Sequence, residues 1–138
     1  MSDDLIETLL AAPYVAKFGV RIERKGDELT GILPYAEHLV GNPLVPALHG
    51  GAVGAFLEII ASATLLAAQP LVRLPKPIDV AVDYLRPARP EDVYARAFIG
   101  RAGSRVANVR AEAWQGRRDA QVATLHGHFL IKSAPSGS

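Results

Sequence analysis

Residues 50–68 are mostly Ala, Leu, Ile, Val and Gly, with one ionisable side chain, Glu58, near the middle. At nineteen residues, the run is close to the roughly 20 apolar residues a membrane-spanning helix needs. A carboxylate at mid-bilayer is expensive, however, and the flanking sequence alternates as soluble strands do. The run is therefore expected to be a helix enclosed in a folded domain, apolar nearly all round because it is wrapped on most sides. Pro70 ends it.

The rest of the chain supplies the wrapping. A short first helix carries the stripe Leu5, Ile6, Leu9 and Leu10 and ends at Pro13. Residues 18–24 and 28–33 read as a hairpin across Lys25-Gly26-Asp27. Residues 34–48, with prolines at 34, 43 and 46, form a loop into the long helix. Four strands follow, at 78–85, 93–100, 105–114 and 121–131, and the short breakers between them suggest an antiparallel meander. Along 105–114, Ala107, Val109, Ala111 and Ala113 share one face, while Asn108, Arg110, Glu112 and Trp114 share the other. A face of small residues lets a helix lie close. The expected architecture is α+β, one domain over residues 1–132 in the order β-β-α-β-β-β-β after the short helix, with a disordered polar tail at 133–138.

Several function classes drop out on composition. A chain of 138 residues can bury a core without staples, and the absence of cysteine removes disulfides, thiolate metal sites and thiol nucleophiles. Fifteen Lys and Arg against fourteen Asp and Glu give a net charge of +1, which provides no bulk attraction to nucleic acid or to an anionic membrane. Asp3, Asp4 and Glu7 stand where a secretory signal needs positive charge, so a cytoplasmic location is expected. His126 and His128 share a strand face but lack a third ligand nearby, so no metal is expected. No phosphate-binding loop, dinucleotide fingerprint or nucleophile elbow is present.

Glu58 carries the chemistry. An ionised, unpaired carboxylate in an apolar helix costs several kcal/mol, and desolvation that raises its pKa also sharpens it as a base or nucleophile. A structural ion pair, or a helix end reaching solvent, would equally accommodate it. His49-Gly50-Gly51 places two residues without side chains where the first N–H groups of the helix point outward, at the positive end of its dipole. That is a clamp for a carbonyl or oxyanion, or else a helix start selected for close packing. Glu58 lies eight residues beyond Gly50, roughly 12 Å along the axis at 1.5 Å per residue. One helix cannot bring both groups to one carbonyl, so a shared substrate predicts a two-fold dimer. Ser62, one turn after Glu58, can hold a water or the carboxylate, or back-bond to its own helix.

His49-Gly50-Gly51-Ala52-Val53, the acid nine residues after the histidine, and Val82-Asp83-Tyr84-Leu85-Arg86-Pro87 resemble the acyl-CoA thioesterases of the hotdog superfamily. The phenylacetate-pathway and 4-hydroxybenzoyl-CoA types are the most similar, and the resemblance covers nearly the whole chain. It implies a long helix wrapped by a curved antiparallel sheet, a homodimer often paired into a tetramer, and a site at the dimer interface. It implies that Glu58 attacks the thioester or activates water, that the Gly50 N–H polarises the carbonyl, and that Ser62 assists. His49 would shape the loop and bond near the carbonyl rather than act as general base. Relatives place Asn or Gln six residues before the histidine, whereas here that position is Pro43 and Asn42 stands seven before, which puts the role of Asn42 in question. Tyr84, Arg86, Arg101, Ser104 and Arg105, at strand ends and turns, correspond to positions that grip coenzyme A. Coenzyme A enters as part of the substrate, with no further cofactor. A non-catalytic acyl-CoA sensor on the same fold is the rival reading, and the enclosed acid argues against it.

Overall fold

The computed structural model describes residues 2–26, 28–39 and 50–135. Helix α1 spans Ser2–Ala11 and turns Ile6 and Leu9 inward. The helix ends ahead of Pro13, as expected, where Ala12 leaves helical geometry, and the proline itself starts a new element. It opens a second short helix, α2, Pro13–Ala16, at the first position, where the missing N–H had no intrahelical partner to lose. The chain then turns at Gly19, whose φ of 68° lies in the left-handed region that glycine enters without penalty. Strand β1 consequently begins at Arg21 and runs Arg21–Lys25, three residues later than the sequence pattern suggested. It pairs antiparallel with β2, Glu28–Leu33, as the expected hairpin.

After a 3₁₀ turn at Glu37–Leu39, α3 occupies Gly50–Ala68, the bounds expected. Strands β3 (Lys76–Tyr84), β4 (Val93–Ala102), β5 (Val106–Trp114) and β6 (Gln121–Leu130) complete one six-stranded sheet in the order β1-β2-β4-β5-β6-β3, with every pair antiparallel. The meander is thus limited to β4-β5-β6. Both edges of β4 are taken by β2 and β5, so β3 crosses to the far side and pairs with β6. Its position at the sheet edge explains why Pro77 is tolerated inside it: a missing N–H breaks no ladder on the open side, and the register shifts between Pro77 and Asp79.

The sheet wraps α3. Phe56, Leu57, Ile60, Leu65 and Leu66 are fully buried, each such side chain stabilising the fold by about 1.5–3 kcal/mol. They face Ala95, Ala97, Ala107, Val109, Ala111 and Ala113, all buried, which is the close approach that small residues permit. By length and composition α3 could cross a membrane, but 67% of the relevant window is buried inside the fold, and the core accounts for its apolar character. Trp114 keeps the polar face that its alternation assigned, directly opposite Tyr94 on β4. It is only 8% exposed there, because it stacks on Tyr94 at 6.2 Å and lies under Arg118, which also pairs with Glu112. Its own chain supplies the cover. The polar tail is tethered at its start: Ser133 bridges to Leu71, and the Ala134 N–H donates to the Pro70 carbonyl at 3.0 Å. Residues 136–138 lie outside the described residues.

Candidate active site

The exposed N-terminus of α3 lies against the end of β3. Tyr84, the last residue of that strand, donates its hydroxyl to the Gly50 carbonyl at 2.9 Å. The ring reaches the helix backbone because Gly50 and Gly54, one turn apart, carry no side chains. A Cβ on Gly54 would stand 2.9 Å from the Tyr84 hydroxyl, and one on Gly50 would stand 3.4 Å from the ring. Beside this contact is an open cleft of about 440 Å³ lined by Gly50, Val53, Tyr84, Leu85, Arg86, Pro87, Ala88 and Val122. Its walls are mainly apolar, with a phenol, a guanidinium and a helix N-terminus as the polar elements. Gly50 and Gly51 are both exposed, so a carbonyl entering here meets the positive end of the helix dipole.

Glu58 is half-buried, two turns further along. Burial pushes its carboxyl above the ordinary value of 4.5, and burial is the sole cause. Ser62, one turn on, is 6% exposed. Eight residues along a helix turn Glu58 by about 80° from Gly50 and carry it about 12 Å up the axis, and Glu58 is not among the residues lining the cleft. Within one chain the acid and the glycines stand apart.

Of the residues expected to grip coenzyme A, Tyr84 and Arg86 join Gly50 at the cleft. Arg101, Ser104 and Arg105 do not. They are exposed around the β4–β5 turn, at the end of the sheet where Val106 pairs with Leu130 and Leu130 with Lys76, whereas Tyr84 pairs with Ala123 at the other end. Eight residues of strand, roughly 26 Å at 3.3 Å each, separate the two groups. Asn42 and His49 lie outside the described residues.

Two features escaped the sequence reading. Gln115, 3% exposed, receives the Arg89 N–H at 2.9 Å and donates to the Arg89 and Glu91 carbonyls at 2.8 and 3.2 Å. It thereby pins the segment that provides the Ala88 wall of the cleft, and no pattern in the sequence marks it. The seat of Tyr84 did carry a signal, the pair Gly50 and Gly54 at helical spacing.

On the outer face of the sheet, His128 Nδ1 lies 2.8 Å from Asp79 Oδ1 and His128 Nε2 lies 3.3 Å from Asn108 Nδ2. The Asp79 carboxyl is held below its ordinary value, chiefly by the hydrogen bond from His128. Among the described residues no group of three or more His, Cys, Asp or Glu is placed to hold a metal ion.

Comparison with known proteins places this geometry. Residues 46–120 match the family model of the thioesterase superfamily. Over 115 residues the chain is 30% identical to the medium/long-chain acyl-CoA thioesterase YigI of Escherichia coli K12, covering 72% of this chain and 74% of that one. A crystal structure from Chromobacterium violaceum is 35% identical with a TM-score of 0.74, covering 96% of this chain and 93% of that one. A Bacillus halodurans protein crystallised with CoA is 19% identical with a TM-score of 0.76, covering 96% of this chain and 94% of that one. By sequence and by its helix-in-sheet fold, the chain belongs to the thioesterase superfamily, as a hotdog hydrolase acting on thioester bonds.

Proposed function

We propose that the chain hydrolyses an aryl- or short- to medium-chain acyl-CoA to the free acid and CoA, in a site shared by two copies. One copy contributes the α3 N-terminus with Gly50 and Gly51, and the other contributes Glu58. The observation that carries this reading is the carboxyl of Glu58, lifted in pKa by burial on the same helix as an exposed glycine pair that it cannot itself reach. An antiparallel partner helix resolves the mismatch.

The N–H groups at the helix start polarise the thioester carbonyl and stabilise the charge that develops on its oxygen; losing one such donor typically costs about 3–4 kcal/mol of barrier. The Glu58 carboxylate then attacks the carbonyl carbon, expelling the CoA thiolate and leaving an anhydride that water opens, or it takes a proton from a water that attacks directly. Both routes end at the same products, and Ser62, Asn42 and His49 are assigned supporting contacts. Neither route calls for a metal or redox cofactor.

Arg86, exposed at the cleft, is placed to meet a phosphate of CoA. Arg101, Ser104 and Arg105 would serve that ligand only from another subunit. The edge of β3 supports pairing of copies: Ile78, Tyr84 and Leu85 are 56%, 56% and 53% exposed, beside a strand that, among the described residues, pairs on one side only. The E. coli relative, a medium/long-chain acyl-CoA thioesterase, overlaps the medium-chain part of this range.

The test is release of free CoA from a panel of aryl- and alkyl-CoA esters, comparing wild type with Glu58→Gln at matched oligomeric size. Turnover lost only in the variant supports the assignment. Binding of CoA esters without turnover by wild type would replace it with a sensor.

A further inference from the structure

The peptide unit joining Gly50 to Gly51 is planar, so the Gly50 carbonyl and the Gly51 N–H share one plate and point in opposite directions. A carbonyl clamp needs that plate, and the residue that bears the Gly50 N–H, held at a fixed angle. The helix holds this plate through the i→i+4 bonds of its first turn, but two adjacent glycines at a helix end resist fraying less than other residues would. A further restraint from outside the segment would hold the plate more firmly.

Tyr84 is placed to provide it. Its hydroxyl donates to the Gly50 carbonyl at 2.9 Å, on the side of the plate opposite the Gly51 N–H. It is anchored at the end of β3, a strand paired along its length with β6. The bond also polarises the peptide, which makes its N–H a stronger donor. The ring is 56% exposed, so apolar burial gives little reason for an aromatic here. The absence of a side chain at Gly54 admits the hydroxyl, since a Cβ there would crowd it at 2.9 Å.

We infer that Tyr84 is a positioning residue for thioester hydrolysis, its hydroxyl fixing the Gly50–Gly51 peptide so that the helix start presents its N–H groups to the substrate carbonyl. The inference rests on the proposed role of that helix start. It differs from a direct grip on CoA by Tyr84, which would show in substrate affinity.

Two variants separate these roles. Tyr84→Phe keeps the ring and removes the hydrogen bond. Gly54→Ala leaves the phenol in the chain but displaces its hydroxyl, and it favours the helix because Ala is the better helix former. Positioning predicts that kcat falls about three- to tenfold in both, the span expected for one neutral hydrogen bond. KM should stay within about twofold, and Tm should be unchanged in the first variant and equal or higher in the second. A raised KM with intact kcat would overturn the inference in favour of substrate contact. Unchanged kinetics, a kcat loss in only one variant, or a loss that tracks a lowered Tm would also overturn it. Glu58→Gln in the same assay separates the two levels. If that variant is dead while Tyr84→Phe equals wild type, only the positioning role falls; if wild type shows no turnover, or Glu58→Gln keeps it, the site reading falls and the inference with it.

Discussion

Gly31 on β2 and Ile60 on α3 approach so closely that a Cβ on Gly31 would overlap the Ile60 side chain. The helix carrying Glu58 is seated on the sheet at this point, and the seat has no spare volume. Gly31→Ala should destabilise the protein by about 1–3 kcal/mol, the usual cost of overpacking a filled core. Adding Ile60→Val should return part of that loss, because the two sites share one contact. Denaturant titration of both variants against wild type would read the coupling.

Glu58→Gln should abolish most turnover, by at least about a hundredfold if the group acts as base or nucleophile. It should also stabilise the fold modestly. The folded pKa lies above the unfolded value, so the folded state binds the proton more tightly, and wild-type stability declines as pH rises from the ordinary 4.5 through the raised value. The variant should lack that slope. Tm measured across this pH range in both proteins would show it.

The proposed role of Glu58 ties the same direction of shift to the rate. With Glu58 as base or nucleophile, hydrolysis needs its ionised carboxylate, so the acid limb of kcat should have its midpoint above 4.5. A midpoint at or below that value would mean that the burial seen here does not persist in the enzyme–substrate complex.

Sharing of the site can be read by mixing subunits. Gly50→Pro removes one N–H at a helix position that accepts proline, and Glu58→Gln removes the carboxylate. Each homodimer should be nearly inactive. Equal mixing after reversible dissociation should restore about a quarter of wild-type activity, because each mixed dimer retains one complete site. Failure to recover any would place both groups in a single chain.

Asp79 accepts from both the side chain and the backbone N–H of His128, at 2.8 and 3.2 Å, beside the register shift in β3. The carboxylate thus takes over an acceptor role where the ladder is irregular. Its pKa is lowered, so the contribution is present above its ordinary 3.8 and is lost as pH falls through the lowered value. Asp79→Ala should speed hydrogen exchange at the His128 amide at neutral pH and have little effect on global stability, because the pair is exposed.

Much of the fold was legible because it rests on local signals. An apolar run bounded by Gly50 and Pro70 marked α3, and alternation between breakers marked β2, β4, β5 and β6 within a residue or two. The position of β3 was not legible, since pairing with β6 depends on which sheet edges remain open. Trp114 was assigned to the correct outer face, but its cover was not legible, since Arg118 folds back over it from the turn that follows β5. For the site, Glu58 and the glycine pair stood out as exceptions to their surroundings. The Asp79–His128 contact joins residues 49 positions apart, and the Tyr84–Gly50 bond joins residues 34 apart. Neither follows without the register. The CoA-gripping set was assembled from strand ends and turns, a criterion that does not distinguish one end of the sheet from the other.

An open strand edge is a template for any other extended chain, so β3 has to be selective about what it accepts. Lys76, Pro77, Asp79 and Asp83 interrupt it with charge and a missing donor, and the shift at Pro77 and Asp79 spoils its flatness. What remains unbroken is Val80, Ala81 and Val82, well short of the roughly six residues from which fibrils are seeded. The strand is therefore guarded against runaway aggregation while keeping enough regular backbone to recognise a matching edge. Replacing those charges to tighten self-association would remove that guard.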